Sequence, residues 1–315
     1  MVILMKVRLG YACSNVTLKN VTTSSTYTYT LFNKEQDLDK LDRIIVSNLQ
    51  DLEKIIDYNI KNNVHFYRIS SKLIPLATLK EVEFNYTDKF KDYYERIENK
   101  IKNNGMRVDF HLGEYSVLNS VREEVVENTF RDLEYHYNLL DSMGINDKVL
   151  IIHIGSNAFG KDKSITRFIN NFNKLDEKIK KCIVIENDDK IFNIEDCIKI
   201  SDKTGIRIVL DYHHYLCNGN NDLDEYIDKI FSMWDIPKIH FSSPKNNTKK
   251  DFRSHSDYID CHKFIDFLEY IKKYNRDIDI MLEVKNKDEA LFRLVRELKY
   301  YTNYKFLDDT SFIVE

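Results

Sequence analysis

Six short apolar runs in this sequence end, or nearly end, in a residue that can hold a metal ion. His111 closes VDFH, His153 lies in VLIIHIG and Glu186 closes CIVIE. Asp211 closes IRIVLD with His214 three residues on, His240 lies in PKIHF, and Glu283 closes IDIMLE. Taken singly, each is most simply a satisfied core or loop residue. Taken together they make a different case, because buried carboxylates gathered near one axis without a counter-charge are costly. Imidazole and carboxylate without thiolate suit Mn²⁺ or Zn²⁺, and suit Ca²⁺ less well. The donors outnumber the needs of one ion, so a pair or trio of divalent ions sharing bridging carboxylates is expected.

Other polar residues are read against this set. Lys238 stands two positions before His240, and a strand period of two puts both on one side. A lysine inside a barrel beside metal ions is costly unless it is neutral, modified or bound to an anion; a strand starting later would leave it on the surface. His213 adjoins His214, and neighbours on an extended chain face opposite ways, so the two are not expected on one ion. His65 begins a strand, and His136 and His262 lie in helical stretches; these three are read as structural.

The elements that must position the donors alternate along the chain. Strands are expected at Val7–Gly10, Val64–Ile69, Met106–His111, Lys148–Ile154, Cys182–Glu186, Ile206–Asp211, Pro237–Phe241 and Ile278–Val284. Runs as continuously apolar as VLIIHI suit a parallel sheet buried on both faces. Between them lie helical patterns. Leu38, Leu41, Ile45, Leu49, Leu52, Ile56 and Ile60 paint one face of a long helix. Ser120 to Glu123 reads as a capping box opening a helix to Met143, closed by Gly144. Helices over 84–104 and 196–204 stop at Gly105 and Gly205. Eight strands each followed by a helix predict a TIM-type (β/α)₈ barrel or a seven-stranded variant, a single domain over residues 1–315. Strand C-termini converge on one face of such a barrel, which is where the donors fall. An open doubly wound sheet is the alternative, without a G-x-G-x-x-G or Walker sequence to support it.

Composition narrows the classes further. The 315 residues carry 47 Lys+Arg and 51 Asp+Glu, a net charge of −4, with 43% apolar and 31% charged residues, so the chain can bury a large core and is not disordered. Eight glycines and three prolines exclude collagen-like and Pro-rich architectures. No window approaches the roughly 18 apolar residues of a membrane span, and MVILM is too short for a signal-peptide core. Cys13, Cys182, Cys197, Cys217 and Cys261 are scattered without a C-x-x-C pair, which fits a reducing compartment. Near-neutral charge by itself gives no sign of nucleic acid.

The motifs resemble the UV damage endonuclease family. The resemblance is carried by RLGYACSN (8–15), FYRISSKLIPLAT (66–78), MRVDFHLGEYSVLNS (106–120), EEVVENTFRDLEYHYNLLDSMG (123–144), VLIIHIG, CIVIENDDK (182–190), IRIVLDYHHYLCN (206–218), PKIHFSSP, HSDYID and IMLEVKNKDEA, in order over most of the chain. It implies a barrel related to endonuclease IV-like folds that holds up to three ions, typically Mn²⁺, with Zn²⁺, Mg²⁺ or Co²⁺ as alternatives. The metal ligands it implies are His111, His153, Glu186, Asp211, His214, His240, His255 and Glu283. His255 joins the set on this ground alone. It also implies that Lys238 can be carboxylated, and it puts Lys238, Glu186 and His255 nearest the chemistry. Tyr11, Asn15, Glu114 and Tyr115 match its lesion-reading parts, and Arg68 is a candidate phosphate contact or else a cap on the barrel end. Two departures stand out: Glu114 where relatives carry Gln, and Leu112 where they carry Pro. A carboxylate near phosphates is unfavourable and lacks an amide's donors.

The implied activity is metal-dependent hydrolysis of the DNA phosphodiester immediately 5′ of a cyclobutane pyrimidine dimer or 6-4 photoproduct, leaving a 3′-hydroxyl and a 5′-phosphate. Bound ions would make the site electropositive on a formally acidic chain. Damaged double-stranded DNA is the expected partner and a monomer the expected state, without membrane association. The location implied is intracellular: the nucleoid-bearing cytoplasm, or the nucleus in a eukaryote. The rival readings are an abasic-site endonuclease, a metal-dependent sugar isomerase, and a damage-binding protein without chemistry.

Overall fold

Residues 4–219, 222–249 and 251–315 are described by the computed structural model. Eight parallel strands close on themselves: β1 (Met5–Ala12), β2 (Phe66–Ile69), β3 (Arg107–His111), β4 (Leu150–His153), β5 (Ile183–Glu186), β6 (Arg207–Asp211), β7 (Lys238–Phe241) and β8 (Ile278–Leu282). They pair in chain order, with β8 against β1 and β1 against β2 sealing the ring. This is a TIM barrel of eight strands, not seven. All eight expected strands form. Seven are trimmed at their ends, while β1 extends two residues beyond Val7–Gly10 at each end.

A further antiparallel pair, β9 (Lys305–Phe306) and β10 (Ser311–Val314), has no counterpart in the sequence reading. β10 runs along β1 from Met5↔Val314 to Arg8↔Ser311, while β2 takes the same strand from Gly10↔Phe66 onward. The tail thus covers the half of an edge that β2 is too short to reach, leaving fewer unpaired backbone groups there.

The helices pack an apolar stripe on the barrel's outer surface. In the helix Leu38–Lys61, Leu41, Ile45, Leu49, Leu52 and Ile56 are buried, each burial being worth roughly 1.5–3 kcal/mol. Asp37 caps its start by accepting from the Lys40 amide at 2.8 Å. Two expectations are corrected. The stretch over 84–104 is two helices, Tyr86–Lys89 and Lys91–Asn103, broken at Phe90. The helix Glu123–Ser142 has no capping box: Ser120 Oγ accepts from the Arg122 amide in a local turn, which leaves no side chain on the helix end. A capping box does open the helix Ile194–Thr204, from Asn193 and Asp196.

Inside the barrel the strand period of two builds layers. Val149, Ile151, Val184 and Val209 cluster with Trp234 under β4 to β6. At the N-terminal end the buried Asp279 accepts from Arg8 (2.6 and 2.8 Å) and Arg107 (2.9 Å). The five cysteines are free. Among the described residues no helix is long and apolar enough to cross a membrane.

Candidate metal centre

Six neighbouring strands deliver their donors to the C-terminal mouth of the barrel. His111, His153, Glu186 and Asp211 are the last residues of β3 to β6, His240 lies in β7, and Glu283 directly follows β8. Register aligns them pairwise: His153 opposite Glu186, and Asp211 opposite His240. Nitrogen and oxygen atoms of His111, His153 and Glu186 lie within 4.8 Å of one another, and so do those of Glu186, Asp211 and His240. Glu186 belongs to both groups. One of its oxygens faces His111 Nε2 (2.7 Å) and the other His240 Nδ1 (2.9 Å), the disposition of a carboxylate shared between two ions.

The surroundings set which nitrogen is free. His111 Nδ1 donates to the Leu112 carbonyl (2.8 Å), so its Nε2 lone pair points into the site. His214 Nδ1 faces the Asn187 carbonyl at 2.9 Å in the same way. Asn187, which the sequence reading passed over, also holds Asp211 by exchanging two 2.9 Å hydrogen bonds with its backbone. Asp211 in turn caps the helix Tyr212–Asn218, accepting from the His214 amide. His213 and His214 therefore sit on a helix rather than an extended chain. The reason given for separating them is corrected, and His213 faces Cys217 and Phe252. His255 is returned over the site by a bridge to Pro244, its ring centroid 6.2 Å from that of His214.

Electrostatics test whether these residues fit a cation. Burial raises the Glu186 carboxyl, but His240, His153 and His111 overcome it and hold it well below the usual carboxylate range. Burial pushes Asp211 well above that range, reinforced by Glu186 and Glu283 and only partly opposed by His214. His214 is itself raised to about 9, because Asp211 and Glu186 outweigh its burial. Burial lowers His153 and His255. Asp211 Oδ2 and His153 Nδ1 are buried without a hydrogen-bond partner. A crowded carboxyl group whose charge burial disfavours, with an orphan oxygen, near the His153 and His255 imidazoles that burial keeps from charging, is what divalent cations would relieve. The donor set fits such ions.

Beneath the donors lies a layer that the sequence reading saw in part. Lys238 is fully buried, and its Nζ meets Asp109 Oδ2 at 3.0 Å and the Phe66 ring at 4.8 Å. The anion that its burial demands is thus a carboxylate of the chain itself. Asp109 lies two residues before His111, and the same period-of-two argument could have found it. Burial pushes the Lys238 ammonium down to about 8 despite Asp109. Arg68 is read from the sequence as a phosphate contact or else a cap on the barrel end. It is buried, and its guanidinium is engaged by Glu283 (2.5 Å), His240 Nε2 (2.6 Å) and Asp109 (3.4 Å).

The lesion-reading candidates separate into two kinds. Tyr11 lies within the extended β1, fully buried, donating to Asn59 (2.6 Å) and accepting from Asn15 (2.9 Å). Asn15 is buried too, and its Oδ1 accepts from the Leu18 amide. A direct nucleotide contact by either would require the segment after β1 to shift; in this structure both lie buried behind the mouth. Glu114 and Tyr115 are exposed, Tyr115 at 84%. Glu114→Gln is expected to tighten duplex binding several-fold at low salt and to change little at high salt, since the gain is removal of a like charge from the phosphates. A salt titration of duplex affinity checks this.

Comparison with known proteins agrees over nearly the whole chain. The UV-endonuclease UvdE family matches residues 7–311. A UV DNA damage endonuclease of Bacillus cereus (strain B4264) is 38% identical over 303 residues, covering 93% of this chain and 95% of the relative. The crystal structure of SacUVDE superposes with a TM-score of 0.85 at 37% identity, covering 93% of this chain and 98% of that one. Endonuclease IV from Thermus thermophilus shares the fold alone, at 11% identity and a TM-score of 0.56 over 93% of this chain and 98% of that one. With that extent of match, and a histidine–carboxylate mouth on a closed barrel, the chain belongs to the UV-endonuclease UvdE family.

Proposed function

We propose that the chain is a UV DNA damage endonuclease that hydrolyses the phosphodiester immediately 5′ of a photoproduct, leaving a 3′-hydroxyl and a 5′-phosphate. The observation that carries the reading is the pair of donor groups sharing Glu186 at a barrel mouth whose rim bears an exposed Tyr115. His111, His153, Glu186, Asp211, His214, His240, His255 and Glu283 would hold the ions, Mn²⁺ foremost. When bound, divalent ions supply positive charge to the scissile phosphate and acidify an attacking water.

The chain's own residues do the rest. Leu112 and Asn187 carbonyls hold the imidazoles of His111 and His214 in the ligating tautomer, and Arg68 orients Glu283. Tyr115 is an aromatic wedge that fills the stack where damaged bases leave it. A photodimer has already lost stacking and pairing, so everting it costs less than everting intact bases. With Asp109 pairing Lys238, the buried amine needs no carboxylation to be accommodated.

Ion binding by the folded state alone stabilises it, by about 2.7 kcal/mol at a hundredfold excess over Kd. Mn²⁺ should therefore raise Tm and a chelator should reverse the rise; no shift at millimolar Mn²⁺ would remove the metal centre. The functional test sets photodimer, 6-4 photoproduct, abasic and undamaged duplexes side by side with Mn²⁺. Nicking 5′ of the photoproducts, far faster than nicking of the undamaged twin, is the expected result. Equal rates on damaged and undamaged DNA would overturn the reading, and cleavage confined to the abasic duplex would transfer it to abasic-site repair.

A further inference from the structure

The wedge residue is not alone on the rim. Phe159, in the loop after β4, is 76% exposed. It also holds a left-handed backbone, φ +64°, which a bulky side chain seldom adopts. A large apolar ring displayed in water on a strained backbone needs the surrounding structure to keep it there, and the surroundings are explicit. Asn119, in the loop that carries Tyr115, exchanges hydrogen bonds with Ser156 in the loop that carries Phe159, at 2.8 and 2.9 Å. Arg167 then ties both loops from below, donating to the Asn119 carbonyl (2.9 Å) and the Ala158 carbonyl (2.6 Å). Asn171 adds a bond to the Leu118 carbonyl at 2.8 Å. The loops approach so closely that a Cβ on Gly155, at φ +111°, would stand 2.5 Å from Val117 and 2.6 Å from Asn119.

The two loops are therefore one clamped unit, following adjacent strands whose last residues are His111 and His153. That unit holds an exposed aromatic on each of its halves. Preorganised rings lose little freedom on binding, and every nucleobase has a face on which a ring can stack.

We propose that Phe159 is a second DNA-contacting residue, stacking on an unstacked base of the damaged duplex beside the step that Tyr115 opens. The proposal rests on the functional reading above. It makes the clamped pair of loops a two-ring platform, so that recognition of distorted DNA is divided between them.

The test is single-turnover incision of a photodimer duplex in Mn²⁺, with enzyme concentration varied, for wild type, Phe159→Ala, Phe159→Leu and Phe159→Trp. Phe159→Ala is expected to raise the half-saturating concentration by roughly tenfold or more while leaving the rate at saturation within about twofold, because the ring lies outside the donor set. Phe159→Trp should restore wild-type saturation and Phe159→Leu should not, since stacking needs a π-face. Affinity for the undamaged duplex should be unchanged in all three. An alanine variant that saturates like wild type, a leucine variant that rescues, or an equal loss on undamaged DNA would each overturn the proposal. Absence of incision by the wild type itself would instead overturn the functional reading, and this inference with it.

Discussion

Glu186→Ala is expected to lower incision of photodimer DNA by roughly a thousandfold or more, a larger loss than the 10–100-fold typical of residues that only support a ligand. The reason is its place. Its two oxygens face different imidazoles, and it is the one residue common to both donor groups among the described residues, so its loss dismantles two sites at once. The metal-free protein should lose stability as well, because His240, His153 and His111 hold the Glu186 carboxyl well below its usual range and the substitution strips those imidazoles of their partner, while the Mn²⁺-induced rise in Tm disappears. Metal content by elemental analysis, Tm with and without Mn²⁺, and the single-turnover rate are the three measurements. A variant that retains its ions and nicks within tenfold of wild type would show that Glu186 is not shared.

The second large effect lies one layer down. Asp109→Asn should destabilise the protein by about 3–5 kcal/mol, because it strips the carboxylate from a fully buried lysine and weakens the hold on a buried guanidinium. Burial alone would raise the Asp109 carboxyl, yet Lys238 and Arg68 hold it below its usual value, which measures how strongly the cations use it. Adding Lys238→Met should recover much of the loss, since the double variant leaves no unpaired charge at that contact. Urea unfolding of the single and double variants reads this as a double-mutant cycle. Additive losses would mean that Asp109 and Lys238 do not act as a pair. Incision should fall in Asp109→Asn as well, because Arg68 also bonds Glu283 and His240, and freeing it from Asp109 alters its hold on both.

These expectations divide unevenly between what the linear chain discloses and what it hides. The donors at the ends of β3 to β6 were legible because each closes a continuous apolar run, and a parallel strand in a barrel has only one end facing the active side. Lys238 was legible as an interior residue through its two-residue offset from His240. The same offset joins Asp109 to His111, so that partner was hidden only by the ordinary look of an aspartate within a strand. The setting of Tyr11 was hidden because β1 runs two residues further than its apolar pattern suggests, and the alternation of the strand turns this side chain to the helix layer, where it bonds Asn59. His213 misled because Asp211 caps a helix at once, turning the chain where extension was assumed. The β9–β10 pair was invisible: its strands are short, and what calls them into place is the half-edge of β1, at the opposite end of the sequence.

Local pattern, then, settles the kind of fold, the candidate donor side chains and the face on which they gather, since apolar period, strand end and donor type are all written within a few residues of one another. Folding in three dimensions settles which carboxylate two groups share, which cations are consumed by internal anions, and which aromatics stand in water. Those are outcomes of pairing between residues far apart along the chain, and an ion pair such as Arg68 with Glu283 exists only once the barrel has closed and water has been excluded from its interior.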